Sequence, residues 1–331
     1  MGPAPQLRLG EAMAKKKAKG PPRRTPAKKR PATRPKKPPP GATPSEVRYR
    51  IETNNRERRA IERAIEQQRE KTLTAYRTQF RRFAARIEGE PKTIFAEGDS
   101  WFNYPLGWAV VDQLQDLIRT PIANFAWPGA ETRQLLALHE RKEIEKRLSD
   151  GPQRGKKWDV LLFSGGGDDI VGDQMVLFLN RGAYDPQHPE RVLNGQFNKV
   201  LDLVMGAYQD LITLRDHLSP NTLIVSHVYD YAWATGQGAC WLGPWLRPSL
   251  DYAQVPRGDD QHKVMIAMLD RFETRLQQVA NGTRNFVLVP THGTLLTENE
   301  WANELHPKDP GFLALARKFQ TVLQQHLGAD I

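Results

Sequence analysis

The chain has 331 residues and a mass of 37.7 kDa, with 39% hydrophobic and 26% charged residues. A chain of this length and composition buries a core of ordinary size, so composition does not exclude an enzyme. Its single cysteine, Cys240, excludes an intramolecular disulfide and a cysteine-rich zinc site. One cysteine is more typical of a reducing compartment, and we predict a cytoplasmic protein.

The net charge of +10 is concentrated at the N-terminus. Residues 1–45 contain 13 of the 48 Lys and Arg residues, 11 of the 25 prolines and one acid, Glu11, whereas residues 46–331 carry a net charge of −2. Because such a segment buries too little to offset the entropy of ordering, we predict a disordered basic tail over 1–45. Two roles stay open for it: binding a polyanion, such as nucleic acid or an anionic surface, and solubilising the chain.

The sequence predicts neither a membrane span nor a signal peptide. No apolar run approaches eighteen residues, so we expect no transmembrane segment. The first twenty residues offer only scattered Leu7, Leu9 and Met13 before the lysines, which is not the apolar stretch of a signal peptide. Met1 and Met13 are both candidate start residues.

A long charged helix is predicted over residues 46–90. Ser45 is a candidate N-cap, and Gly89 followed by Pro91 is a typical stop. We favour packing of its second half on the following domain, and a coiled-coil dimer stays open, so the oligomeric state is not determined. The apolar stripe that supports both interpretations consists of Leu73, Tyr76, Phe80, Phe83 and Ile87.

From residue 91 to 331 short apolar runs alternate with amphipathic stretches, which predicts one α/β domain. Runs of Val, Ile, Leu and Phe without polar alternation are typical of strands covered on both faces, and hence of a five-stranded parallel sheet between helical layers. The predicted strands are 93–96, 122–125, 160–163, 223–225 and 286–289. The predicted helices are 107–119, 131–148, 192–217, 259–279 and 311–327.

Small or reactive residues follow three of these strands, in the segments 97–102, 124–132 and 164–170. In an open parallel sheet, the loops after the strands are where reactive groups collect. A serine at a strand-to-helix turn exposes its hydroxyl, and nearby glycines let backbone N–H groups approach the same point. A base must still accept the serine proton, and His306, just before the last predicted helix, is the best-placed histidine.

At these residues the sequence resembles the SGNH, or GDSL, hydrolase family. The resemblance spans residues 92–328 and implies a flavodoxin-like three-layer αβα sandwich, Ser100 as nucleophile and His306 as base. It also implies an oxyanion hole made by the Ser100 N–H, the Gly129 N–H and the side chain at position 168. The matching blocks are Gly98-Asp99-Ser100, Gly129, Gly166-Gly167-Asp168-Asp169 and Asn303-Glu304-Leu305-His306.

Two residues depart from the family pattern. Asp168 stands where an Asn donates to the oxyanion, so it serves only if protonated, and otherwise it points away. Asn303 stands where an Asp orients the histidine, which leaves three possibilities: a Ser100–His306 dyad, or support of His306 by Glu304 or by a backbone carbonyl. Asn303 is retained as the third candidate catalytic residue.

Aromatic residues after the first and fourth predicted strands are candidates for a substrate pocket: Trp101, Tyr229 and Trp241. Closing the core is the alternative role for several of them, and His227 is a reserve candidate that is better explained as structural. We predict a serine hydrolase that cleaves a carboxylic ester through an acyl-serine intermediate, without cofactor or metal. Acyl lipids, thioesters and acetylated sugars all remain candidate substrates. The alternative is a catalytically impaired domain that binds a polyanion through its tail.

Overall fold

The computed structural model describes residues 44–87, 89–153, 155–239, 242–328 and 331, without the side chains of 44–59, 61 and 62. The predicted tail therefore lies outside the described residues except at its end, and so do Cys240 and Trp241. The chain divides into two compact units, residues 1–60 and 61–331; the described part of the first, from Pro44 on, is helical. None of the helices described has both the length and the apolarity needed to cross a bilayer.

A five-stranded, all-parallel sheet forms the centre of the second unit, with strand order β2-β1-β3-β4-β5. Ile94 of β1 pairs with Ile122 of β2 on one side and with Val160 of β3 on the other. The predicted sheet is therefore confirmed. The strands are β1 (Ile94–Gly98), β2 (Ile122–Asn124), β3 (Val160–Ser164), β4 (Leu223–His227) and β5 (Phe286–Val289).

Helices cover both faces of the sheet, as predicted for a three-layer sandwich. On one face α2 packs against α9, and on the other α6 packs against α4 and α8. Short 3-10 helices occur at Asp173–Phe178, Pro189–Val192 and Glu298–Glu300. The α-helices are α1 (Pro44–Ala84), α2 (Val110–Ile118), α3 (Thr132–Leu135), α4 (Leu138–Asp150), α5 (Gly167–Ile170), α6 (Gly195–Leu218), α7 (Arg247–Tyr252), α8 (Asp259–Asn281) and α9 (Asp309–Leu327).

Three strands run further than the apolar pattern predicts, because buried polar residues at their ends find partners. β1 continues through Glu97, whose carboxylate accepts a 2.5 Å hydrogen bond from Arg147 of α4. β4 continues to His227, whose ring lies 2.8 Å from the hydroxyl of Ser164, the last residue of β3. A second difference is the predicted helix 131–148, which is divided between α3 and α4.

The second half of α1 packs against the sheet domain through its apolar stripe. Tyr76 and Phe80 are buried, and the Tyr76 ring lies 5.2 Å from that of Trp158, which in turn contacts Phe95 of β1. Arg69 forms a largely buried ion pair with Glu140 of α4. The helix ends at Ala84, six residues before the predicted end, so Gly89 lies in the connection to β1 and not at the helix terminus.

We expect Tyr76→Ala to lower the free energy of unfolding by about 3 kcal/mol, because it removes a buried aromatic ring and leaves a cavity beside Trp158. Gln79→Ala, at an exposed position of the same helix, is the control and should change stability by less than about 0.5 kcal/mol. Urea unfolding followed by tryptophan fluorescence measures both. Equal stability of the two variants would show that the helix contributes no packing energy to the domain.

Candidate active site

Ser100 lies in the turn that follows β1, and His306 lies in the loop that precedes α9. The Ser100 Oγ atom is 2.7 Å from His306 Nε2, although the two residues are 206 positions apart. Gly98 makes the turn possible: its φ is +148°, and a Cβ atom there would lie 2.4 Å from the Ser164 carbonyl oxygen. Both members of the pair are buried, Ser100 being 8% and His306 5% exposed.

Asn303 determines which ring nitrogen of His306 carries the proton. Its Oδ1 atom accepts hydrogen bonds from the backbone N–H groups of Leu305 and His306, each at 3.0 Å, so this atom is the amide oxygen. His306 Nδ1 lies 3.0 Å from the same oxygen and must therefore donate. In the neutral ring, Nε2 is then free to accept the Ser100 hydroxyl proton.

Tyr104 also supports His306, and no pattern in the sequence indicated this role. Its hydroxyl accepts a 3.1 Å hydrogen bond from the Asn303 Nδ2 amide group, which fixes the orientation of that amide. Its ring stacks on the imidazole, with centroids 4.2 Å apart and planes inclined by 19°. Tyr104 thus holds both the imidazole and the amide that orients it.

Burial lowers the pKa of His306 to about 3, so the ring is neutral at neutral pH. Desolvation disfavours the imidazolium, and Asn303 supplies no negative charge to offset it. A neutral imidazole with its lone pair on the serine hydroxyl is the state in which histidine acts as a general base.

Glu304 does not support His306, so that sequence-based alternative is wrong. The Glu304 side chain is fully buried and turned towards the loop after β4, where its two oxygens accept backbone hydrogen bonds at 2.5 to 3.1 Å. Its role is to hold that loop. The four N–H donors belong to Gly236, Trp245, Leu246 and Arg247.

Asp99, next to Ser100, is the centre of a buried hydrogen-bond network. Its carboxylate accepts from the Tyr229 hydroxyl at 2.5 Å, from the Ser164 hydroxyl at 2.7 Å and from the Trp101 N–H at 2.9 Å. His227 extends the network: its Nδ1 accepts from the Tyr229 N–H, so its Nε2–H donates to Ser164. His227 is fully buried in this network and does not line the pocket beside Ser100.

Asp168 faces the same pocket as Ser100. Burial raises its pKa well above the usual range, and the nearby carboxyl groups of Asp99, Asp169 and Glu131 raise it further. Burial also raises the pKa of Asp99, but three hydrogen bonds to the Asp99 carboxylate oppose that effect. Within the described part of the chain, the Asp168 carboxyl makes no hydrogen bond of this kind. Hydrogen bonds thus favour the ionised form of Asp99, whereas burial and neighbouring negative charge favour the protonated form of Asp168.

Next to Ser100 lies a small pocket with mainly apolar walls. Helix α8 contributes Met265 and Leu269, and the terminal loop contributes Trp301 and Leu305. Of the predicted pocket residues, Trp101 and Tyr229 both line it. Each is only 5% exposed, so both also belong to the core.

Gly129 lies with Asp168 on a second, more polar cleft. Within the described residues, neither the Gly129 N–H nor the Ser100 N–H donates a hydrogen bond, so both donors are free. Asp168 is common to the cleft and the apolar pocket, and it therefore stands between the two. The cleft is lined by Gly129, Glu131, Asp168, Val171, Gly172, Asp173, Gln174, Gly243, Pro244 and Trp245.

The strand order of the parallel sheet, the turn after β1 and the loop before α9 agree with the architecture that the four sequence blocks predicted. The strand order β2-β1-β3-β4-β5 is that of a flavodoxin-like sandwich, as the resemblance predicted. No family model matches the sequence, and no curated protein matches it. The similarity is found in solved structures, at low sequence identity.

Three of the solved structures that are similar to this chain are a lipase from a metagenome, a bacterial lipase and a carbohydrate esterase. A lipase from a goat rumen metagenome is 16% identical over 70% of this chain and 97% of its own, with a TM-score of 0.45. An extracellular lipase from Streptomyces rimosus is 14% identical over 69% and 99%, with a TM-score of 0.45. A family 3 carbohydrate esterase from Clostridium thermocellum is 16% identical over 72% and 98%, with a TM-score of 0.42.

Sequence patterns did not indicate several of the residues around the pocket beside Ser100. Met265 and Leu269 have the i, i+4 spacing of any buried helix face, so nothing distinguished them from core residues. Asp230 follows Tyr229 directly and accepts hydrogen bonds from the Gly293 and Leu295 N–H groups, which fixes one wall of the pocket. In the sequence, only the position of Asp230 directly after Tyr229 could have indicated this role.

We expect His306 to remain neutral, with its proton on Nδ1, from pH 8 down to below pH 5. Its pKa of about 3 and its hydrogen bond to Asn303 are the physical reasons. Two-bond ¹H–¹⁵N correlation spectra of the imidazole measure the tautomer and the titration midpoint.

The variant Asn303→Asp is the comparison for this titration. A carboxylate beside Nδ1 favours the imidazolium, so the midpoint should rise by at least about one pH unit. A wild-type midpoint near 6.5, or no change in the variant, would contradict the assignment.

Proposed function

We propose that this chain is a serine hydrolase that cleaves a carboxylic ester through an acyl intermediate on Ser100. The observation that carries the proposal is the 2.7 Å contact between Ser100 Oγ and His306 Nε2, with Asn303 holding the ring in the accepting tautomer. A serine hydroxyl becomes a good nucleophile when a positioned base accepts its proton, and this geometry supplies one.

In the proposed first step, Ser100 Oγ attacks the ester carbonyl carbon while its proton passes to His306 Nε2. The tetrahedral intermediate collapses when His306 returns that proton to the leaving alkoxide oxygen, which releases the alcohol and leaves the acyl group on Ser100. Water then attacks the acyl-enzyme with the same assistance, which releases the acid and restores the hydroxyl. Asn303 acts as a positioning residue throughout, because it touches His306 and not the reacting atoms.

His306 becomes an imidazolium in each step. Because residue 303 is Asn and not Asp, other groups must stabilise this positive charge. The Asn303 carbonyl dipole accepts from Nδ1–H, and the stacked Tyr104 ring presents its π face to the imidazolium. A cation over an aromatic ring is stabilised by about 0.5–2 kcal/mol, and by more when the pair is desolvated. Tyr104 thereby supplies part of what a carboxylate supplies in the family pattern.

The proposed oxyanion hole consists of the Ser100 N–H, the Gly129 N–H and a protonated Asp168. An ionised carboxylate 3 Å from the oxyanion would cost about 5 kcal/mol at an effective dielectric constant of 20, which excludes it as a partner. The protonated acid instead donates a hydrogen bond, and the raised pKa of Asp168 supports this form. Ser100 and Asp168 line the apolar pocket, and Gly129 and Asp168 line the adjoining cleft, which supports a shared oxyanion site for the three groups.

The apolar pocket beside Ser100 is the proposed site of the acyl group, and the polar cleft that Asp168 shares is the proposed exit for the alcohol. Met265, Leu269 and Leu305 offer the acyl chain an apolar surface that contains no N–H or O–H donor. A lipid or short-chain acyl ester fits this division.

The basic tail supports a second proposal, polyanion binding, on its composition alone. Its 13 Lys and Arg residues against a single acid would neutralise phosphates without reading sequence. The tail is separate in sequence from every residue of the proposed catalytic site. Removing residues 1–43 should therefore abolish salt-sensitive polyanion binding and leave ester turnover unchanged.

We expect a fluorophosphonate probe to label Ser100, because the probe reacts with serines that a neighbouring base activates. Peptide mass spectrometry of the labelled protein identifies the site. Ser100→Ala should lose all labelling, and Ser149→Ala, at an exposed serine of α4, should retain it. A folded wild-type protein that takes up no label would exclude the hydrolase proposal.

We expect Asp168→Asn to extend ester hydrolysis to higher pH. In the wild-type chain the donor is lost as pH rises through the raised pKa of Asp168, whereas an amide does not ionise. Asp168→Ala, which removes the donor, should lower kcat about 10²- to 10³-fold. The measurement is kcat against pH with a short-chain ester.

Asp116→Asn, at an exposed carboxylate of α2, is the matched control and should keep the wild-type pH profile. Identical alkaline profiles for the wild type and Asp168→Asn would show that Asp168 takes no part in the oxyanion hole.

A further inference from the structure

Asp270, Glu273 and His292 form a second cluster of reactive groups, apart from the Ser100 pocket. Asp270 and Glu273 lie one turn apart on α8, and His292 lies in the loop after β5. One oxygen of each carboxylate and one ring nitrogen all lie within 4.8 Å of one another. Nothing in the proposed ester hydrolysis uses these three residues.

The hydrogen bonds of His292 show that its free nitrogen faces the carboxylates. Its Nε2 lies 3.1 Å from the Val228 carbonyl oxygen, which can only accept, so Nε2 carries a proton. In the neutral ring Nδ1 then bears a lone pair, and it lies 3.0 Å from Glu273 Oε2 and 3.8 Å from Asp270 Oδ1. Three electron-rich atoms facing one another repel unless a cation stands between them.

Basic side chains do not supply that cation. Within the described residues, neither Asp270 nor Glu273 forms an ion pair with a lysine or arginine. The two nearest arginines on the same helix are engaged elsewhere, since Arg271 contacts Asn198 and Arg275 pairs with Asp202. Within the described residues, no lysine or arginine therefore occupies the space between the two carboxylates and His292 Nδ1.

Surrounding groups also hold two of the three side chains in place, as is usual around bound metals. A backbone carbonyl fixes the ring of His292, and the Tyr231 hydroxyl donates to Asp270 Oδ1 at 2.6 Å. The Tyr231 ring packs on His292, with centroids 4.4 Å apart. The His292 side chain is 10% exposed, so the nitrogen is shielded while the carboxylates remain open to solvent.

We propose that Asp270, Glu273 and His292 bind a divalent transition metal, with Zn²⁺ as the best match. One imidazole and two carboxylates are ordinary zinc ligands, and neighbouring ligands around a tetrahedral zinc ion stand about 3.3 Å apart. The separations of 3.0 and 3.8 Å from His292 Nδ1 lie on either side of that value. The ion would join α8 to the loop after β5 and would serve stability, not the acyl transfer.

Isothermal titration of the untagged full-length chain with Zn²⁺ at pH 7 tests the proposal. One Zn²⁺ per chain should bind, and Glu273→Gln and His292→Ala should each weaken binding at least tenfold. Asp259→Asn removes an exposed carboxylate from the first turn of the same helix, and it should bind Zn²⁺ as the wild type does.

Thermal unfolding gives a second readout that does not depend on catalysis. Saturating Zn²⁺ should raise the Tm of the wild type and of Asp259→Asn, but not that of Glu273→Gln, whose near-isosteric amide preserves the fold. Absence of Zn²⁺ binding at 1 mM, or equal affinity in all four proteins, would overturn the proposal. Because Ser100 labelling is measured separately, neither result bears on the proposed esterase.

Discussion

The amide oxygen of Asn303 is the atom on which the geometry of the proposed active site depends. It accepts three hydrogen bonds, two from the backbone of its own loop and one from His306 Nδ1. The backbone bonds shape the loop, and the third fixes the tautomer that leaves Nε2 facing Ser100. A single side-chain oxygen therefore determines both the position of the histidine and its tautomer. Tyr104 is needed because it holds the other end of the same amide.

The exchange of Asn and Asp relative to the family pattern moves the carboxyl group from the proposed base to the proposed oxyanion hole. Burial favours the neutral form of both groups, because it lowers the pKa of His306 and raises that of Asp168. Environments that shift two pKa values in opposite directions are a recurring way of assigning base and acid roles. Burial favours this arrangement, because neither neutral group pays the desolvation cost of a charge.

The sequence was sufficient to predict the sheet, because buried parallel strands appear as uninterrupted apolar runs. It was not sufficient at the strand ends, where Glu97 and His227 are buried only because Arg147 and Ser164 reach them from distant segments. The four blocks indicated Ser100 and His306. Glu304 was considered as a support of His306 because the two residues are close in sequence. Its partners instead lie across the loop after β4. The support from Tyr104 depends on ring stacking, which leaves no spacing pattern.

Helix α8 connects the two sites that the structure suggests. One side of it presents Met265 and Leu269 to the apolar pocket, and the adjoining turn presents Asp270 and Glu273 to His292. The residue after His292, Gly293, donates its N–H to Asp230 in the pocket wall at 2.7 Å. A cation at His292 would therefore restrain both the helix and the loop that shape the acyl site, without contact with the reacting atoms. Such a restraint would stabilise the walls of the pocket, while the Ser100–His306 pair keeps its own geometry.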